Sequence, residues 1–161
     1  IKNVFCKMKT LNAKIEVEDS VVGNFEFNNG AIGSLEVTTA ARPKDYEATI
    51  ALIGTKGVAK IGGLAANIME EFSPNPELCK KYSENIPDAY GFGHFKLYND
   101  ISKVLLFKKI FPVNSTDCIN TIRLLNSFYV SDELKRSVVV SKTKDSKRLG
   151  KKNNMISRLY R

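Results

Sequence analysis

The stretch 21–61, VVGNFEFNNGAIGSLEVTTAARPKDYEATIALIGTKGVAKI, constrains the fold more than any other part of the chain. Its β-branched and aromatic runs are cut by Asn29-Gly30 and by Gly54-Thr55-Lys56-Gly57, the pattern of antiparallel hairpins. The register of the first hairpin follows from its faces. With Asn28-Asn29-Gly30 as a three-residue loop and Gly30 in the left-handed position, Phe27 faces Ala31, Phe25 faces Gly33, Gly23 faces Leu35 and Val21 faces Val37. One face is then apolar throughout. A two-residue Asn-Gly turn would pair Phe25 with Ser34 and Leu35 with Asn24, and such a slip is costly wherever one face is buried. The three-residue loop is therefore expected. In the next hairpin a four-residue turn sets Leu52 opposite Ala59 and Ile50 opposite Ile61, which predicts one buried face carrying Ala48, Ile50 and Leu52 and one mixed face.

The rest of the chain extends this sheet and then changes period. Residues 2–17 alternate loosely, with Val4, Cys6 and Met8 against Lys7 and Lys9, and read as a first strand. Glu16, Glu18 and Asp19 mark a polar break. The run AANIMEEF is one more strand, whereas residues 73–87 carry Pro74, Pro76 and Pro87 and read as a long surface loop. Beyond Gly91-Phe92-Gly93, Phe95, Tyr98, Ile101, Val104 and Leu105 recur at helical spacing and predict a helix over 94–108. A second helix is predicted over 116–134, with Ile119, Ile122, Leu125, Phe128 and Tyr129 on one side and Asp117 in its first turn. A short strand over 137–141 closes the series. Strands followed by helices predict an α+β domain: an open, mainly antiparallel sheet with helices packed on one face. The opposite face mixes Val22, Ile32, Ala51 and Ile53 with Asn24, Glu26 and Ser34. That mixture is the composition of a subunit interface, so this face is expected to build an oligomer.

The net charge of +8 points to nucleic acid until it is divided along the sequence. Residues 142–161 hold eight Lys and Arg against Asp145 alone, while residues 1–141 hold 17 basic and 16 acidic side chains. The basicity therefore belongs to a tail. A Lys-rich end with no interleaved aromatics beyond Tyr160 is expected to be solvated, which argues against nucleic acid as a partner. The organisation read from the sequence is a domain over 1–141 and a basic tail over 142–161. No run is apolar enough to span a membrane, so no membrane association is expected. The three cysteines, Cys6, Cys79 and Cys118, lack the spacing of a metal site or a disulfide framework and fit a reducing cytoplasm. The chain opens at Ile1 without a methionine or a basic-then-apolar leader, which is the expectation for a piece of a longer polypeptide.

Catalytic constellations are not evident. The single histidine, His94, cannot form a two-histidine metal site, and neither Gly62-Gly63 nor Gly91-Phe92-Gly93 completes a dinucleotide fingerprint. No catalytic, cofactor-binding or metal-ligating residue is assigned. The strings DSVVGNFEFNNGAIGSLEVTTAARPKDYEATIALIGTKGVAKIGG and SENIPDAYGFGHFKLYNDI, however, resemble the C-terminal domain of the Gfo/Idh/MocA family of NAD(P)-dependent sugar oxidoreductases. They are most similar to the branch that oxidises UDP-linked N-acetylated sugars or their uronates at C3 in bacterial surface-polysaccharide synthesis. The likeness runs over about residues 2–140, and SKRLG at 146–150 resembles a common family ending.

The resemblance implies a Rossmann domain that carries NAD or NADP and precedes this one. It also implies a substrate and oligomerisation role for this chain, which should be inactive alone. The family's proton-transfer lysine and its helix with D-x-x-x-H have no counterpart here. The loop Thr39 to Tyr46 is implied to face the cofactor domain, with Thr39, Arg42 and Lys44 as substrate contacts. Arg42 and Lys44 suit a diphosphate or a uronate carboxylate, Arg through its fork and Lys as a point charge; as sequence alone they read more readily as solvated loop charges, and only the resemblance brings the two readings level. Tyr90 and His94 stand at the junction that borders the sugar in the family, although a lone histidine at a helix start is more often a cap or a packed side chain. The expected partners are a nucleotide sugar and further copies of the chain. The alternative is a non-catalytic module that binds and dimerises without an enzyme attached.

Overall fold

The structure, a computed structural model, describes residues 1–88 and 90–155. The chain divides into two compact units: Ile1–Ala40 with Val113–Arg161, and Ala41–Pro112. Both are built on antiparallel sheet, and the strands fall into two sheets, one per unit, where the sequence suggested a single one.

Unit 1 holds β1 (Asn3–Lys9), β2 (Ser20–Glu26), β3 (Ile32–Thr38) and, late in the chain, β7 (Val138–Val139), in the order β3-β2-β1-β7. The expected register is present: Phe25 pairs with Gly33, Gly23 with Leu35 and Val21 with Val37. Phe27 donates its N–H to Ala31 across a three-residue loop, and Gly30 takes φ +86, which a residue with a Cβ adopts only under strain. At Gly33 an added Cβ would fall 2.5 Å from the Phe25 ring, so the glycine leaves room for its cross-strand partner.

Helix α3 (Ser115–Leu134) packs on this sheet. Asn114 caps it by accepting from the Asp117 N–H at 2.9 Å. Val4, Cys6, Met8 and Phe128 form the core, supported by Leu35, Leu124 and Val138. The buried side of α3 only partly matches the one its apolar spacing suggests: Phe128 enters the core and Tyr129 packs against it, but the rest of that side does not follow. Ile119, Ile122 and Leu125 are 50%, 60% and 42% exposed, whereas Ser127, Ser131 and Asp132 are buried. The physical reason lies in the sheet edge. β7 covers only Asn3 and Val4 of β1, which leaves the Cys6 and Met8 N–H groups on an uncovered edge. Ser131 Oγ accepts from Cys6 N and Asp132 Oδ1 from Met8 N, both at 3.1 Å, in place of a longer edge strand.

Unit 2 holds β4 (Ile50–Gly54), β5 (Gly57–Gly62) and β6 (Ile68–Phe72) in sequential antiparallel order, with α1 (Leu78–Tyr82) and α2 (Gly93–Phe107). Ile50 pairs with Ile61 and Leu52 with Ala59, as the turn length requires. Two expectations need correction. The proline-bounded loop 73–87 contains the one-turn helix α1, which fits between Pro76 and Pro87 and packs beside β6. Ile50 and Leu52, expected on a buried face, are 57% and 66% exposed, because α2 buries none of its residues and covers no strand among the described residues.

Residues 142–155 keep Lys142, Lys144, Lys147, Lys151 and Lys152 exposed, but they are fastened rather than free. They belong to unit 1, where the Glu133 carboxylate accepts from Ser146 Oγ and from the Lys147 and Arg148 N–H groups. Arg158, Tyr160 and Arg161 lie outside the described residues.

Candidate functional site

The five residues singled out from sequence lie on two segments. Thr39 follows β3 in unit 1 and is held there by its N–H, which donates to the Asp19 carbonyl at 2.9 Å. Arg42 and Lys44 are exposed on the loop that opens unit 2, where the Arg42-Pro43 bond is cis and Arg42 Nη1 donates to the Ala41 carbonyl at 2.7 Å. That bond uses one of the five guanidinium donors, so the fork remains open to an anion. Lys44 carries no ion pair among the described residues.

Tyr90 and His94 do meet. Their ring centroids lie 5.9 Å apart, tilted by 46°, at the start of α2. Asp88 orders the approach: its Oδ1 accepts from the Tyr90 N–H at 2.8 Å and from the Gly91 N–H at 3.3 Å, and Gly91 at φ +55 turns the chain into the helix. Both rings are exposed, and His94 neither caps the helix nor packs into a core. This pair presents flat apolar faces and an imidazole that can donate or accept. Its chemistry is recognition of a ring or a hydroxyl.

Apart from Lys60 of unit 2, which its hydrogen bond and ion pair with Glu70 hold protonated above the usual lysine value, the perturbed titratable groups are in unit 1. The Asp19 carboxylate is raised by burial but lowered further by N–H groups from Ala13, Leu11 and Asn12 and by the Ser20 hydroxyl, so it stays ionised well below the usual carboxylate range. Asp132, 1% exposed, is likewise raised by burial and held low by Met8 N–H, Arg148 and Lys135. Arg148 Nη1 stands 2.7 Å from Asp132 Oδ2 as an ion contact rather than an aligned hydrogen bond, and its guanidinium lies 5.4 Å from the Tyr129 ring centroid. Burial, with the Asp132 charge behind it, pushes the Cys6 thiol up to about 11, and Cys6 Sγ donates to the Phe128 carbonyl. A thiol held protonated in this way is inert. These groups fasten the fold rather than meet a ligand. Sequence reasoning took Asp19 for part of a polar break and passed over Asp132 altogether. The signal available for Asp19 was an acid a few residues after the turn-forming Asn12, which alone is weak. Among the described residues no group of three or more His, Cys, Asp or Glu could hold a metal ion, and no helix is long and apolar enough to cross a membrane.

Comparison with known proteins agrees with the layout of strands and helices. Residues 1–60 match the GFO/IDH/MocA C-terminal domain. This chain is similar to that family's C-terminal domain. The likeness extends past the matched residues. The WlbA dehydrogenase from Bordetella pertussis, solved in complex with NADH and UDP-GlcNAcA, superposes with a TM-score of 0.75 at 26% identity, over 86% of this chain and 41% of that one. The WlbA dehydrogenase from Chromobacterium violaceum, with the same two ligands, gives 0.72 at 28% identity over 89% of this chain and 41% of its own. Levoglucosan dehydrogenase in complex with NADH shares the fold at 17% identity, with a TM-score of 0.66 over 86% and 44%. The chain thus spans about two fifths of the length of the solved structures it matches. None of the curated proteins matches it.

Proposed function

We propose that this chain is the substrate-binding and oligomerisation domain of an NAD-dependent oxidoreductase acting on a nucleotide sugar, with the dinucleotide held by a Rossmann domain of the same polypeptide. The observation that carries this reading is the similarity, at 26% and 28% identity over most of the chain, to two dehydrogenases whose complexes contain NADH and UDP-GlcNAcA. In this reading Arg42 and Lys44 engage the diphosphate or the uronate carboxylate, and Thr39 supplies a hydroxyl. The Tyr90–His94 pair faces the sugar. Hydride transfer is the cofactor's chemistry; this domain contributes orientation and exclusion of water. The exposed apolar residues on the strands, Val22, Ile32 and Ile53 at 58%, 84% and 86%, support assembly through the sheets. The three free cysteines suit a reducing cytoplasm, where activated sugars for surface polysaccharides are made.

The test is an assay of the polypeptide containing both domains, following NADH formation from UDP-N-acetylglucosaminuronate. Arg42→Ala should raise KM by about tenfold or more while changing kcat less, the pattern of lost ground-state charge contact. If no nucleotide-linked sugar yields NADH while the oligomer persists, the enzymatic reading is wrong and a non-catalytic dimerisation module replaces it.

A further inference from the structure

The C-terminal segment folds back along the end of α3 and builds a concavity of ≈ 470 Å³ in unit 1. Four cations line it: Arg136, Lys142, Lys144 and Lys147. They come from the α3–β7 connection and from the segment after β7, and all four are exposed. None of their side chains has an ion pair or hydrogen bond among the described residues. Two acids share the lining, but Glu133 is turned onto Ser146 Oγ and the Lys147 and Arg148 N–H groups, which leaves Asp145 as the one opposing carboxylate without such donors. Val130 and Val138 supply an apolar part of the wall.

We propose that this concavity of unit 1 binds a multiply charged phosphate group. Cations that line one depression set a positive potential there, which favours an anion able to contact several at once. A single carboxylate satisfies one or two of them. Four cations against one free acid call for a di- or triphosphate-type ligand, which Arg136 grips with its fork and the lysines as point charges. A free polyphosphate and a phosphomonoester lipid headgroup present the same chemistry.

The experiment is calorimetric titration of tripolyphosphate into the full chain at low salt, alongside sedimentation with phosphatidylcholine vesicles that contain or lack phosphatidic acid. The Lys142→Gln/Lys144→Gln double variant should bind about tenfold more weakly, as expected for lost charge-assisted contacts. The Lys7→Gln/Lys9→Gln variant removes the same charge from β1 and should change affinity by less than about twofold. Circular dichroism confirms that both variants fold. Binding to tripolyphosphate identifies a soluble ligand, and binding only to phosphatidic acid vesicles identifies a headgroup. The proposal is overturned if neither probe binds, or if both variants lose affinity alike, since attraction would then be a matter of net charge.

Discussion

In unit 1, Val4, Cys6, Met8 and Phe128 are each at most 8% exposed, whereas in unit 2 the one buried residue among those described is a glycine, Gly62. The two units are alike in strand patterning, and both hairpins pair in the register their alternation requires. They differ in what covers the sheet. Unit 1 lays α3 across its apolar face and secures it with Ser131 and Asp132, while the apolar side chains of α2, among them Phe95, Leu105, Leu106 and Phe107, stay between 67% and 77% exposed. Fully burying one such side chain stabilises by about 1.5–3 kcal/mol, so unit 2 forgoes most of what its composition offers. The difference teaches that amphipathic pattern specifies which face seeks burial, not whether the same chain supplies the cover.

The sharpest way to break this comparison is Phe128→Ala. It should cost about 3–5 kcal/mol in urea denaturation followed on unit 1, the usual range for removing a buried ring. Asp132→Ala comes next, at about 3 kcal/mol, because it strands the Met8 N–H and leaves Arg148 beside a hole. Faster amide exchange at Met8 and at residues 146–148 would show that the edge and the C-terminal segment loosen together; unchanged exchange at 146–148 would separate them.

Acid gives a smaller and graded effect. Asp19, Asp132 and Glu133 all have folded values below their ordinary 3.8, 3.8 and 4.5. Depressed carboxylates contribute stability that is complete above those ordinary values and is lost as pH falls below them, because the unfolded chain then binds the proton first. All three lie in unit 1, so amide exchange there should accelerate as pH drops from about 5 to 3, with unit 2 protons less affected. The smallest effect belongs to α2. Leu105→Ser should change the stability of the isolated chain by no more than about 0.5 kcal/mol while reducing self-association in sedimentation. A loss as large as that of Phe128→Ala would mean that α2 has a core partner after all.

How much of this was legible depends on what each residue answers to. The hairpin registers were readable because one face had to be apolar and Gly30 had to take a left-handed turn. The bounds of α2 and α3 were readable to within a residue, since helical periodicity marks both and Asp117 marks the first turn of α3. Much of the buried side of α3 was hidden because polar residues occupy core-facing positions: Ser131 and Asp132 satisfy backbone groups of a strand more than a hundred residues away, and Ser127 turns its hydroxyl onto the Arg123 carbonyl of its own helix. No local pattern reports a donor at that distance. The charged C-terminal run misled for the same reason: Arg148 and Ser146 resemble solvated residues until Asp132 and Glu133 are set beside them. Arg42, Lys44, Tyr90 and His94 are surface residues whose meaning depends on a ligand, and only resemblance to a family drew attention to them.

The division of unit 1 has a consequence for synthesis. Its first part ends at Ala40 and its second begins at Val113, so β1 and its partner helix α3 are made far apart in time. The Met8 N–H bonds an acceptor 124 positions later. At roughly 5–20 residues per second, β1 to β3 wait several seconds or more outside the ribosome with their apolar side unclothed. All of unit 2 is translated during that interval. The nascent hairpin is thus the stretch on which a chaperone would first find a grip, and that grip would have to yield to Phe128 and Asp132 when they emerge.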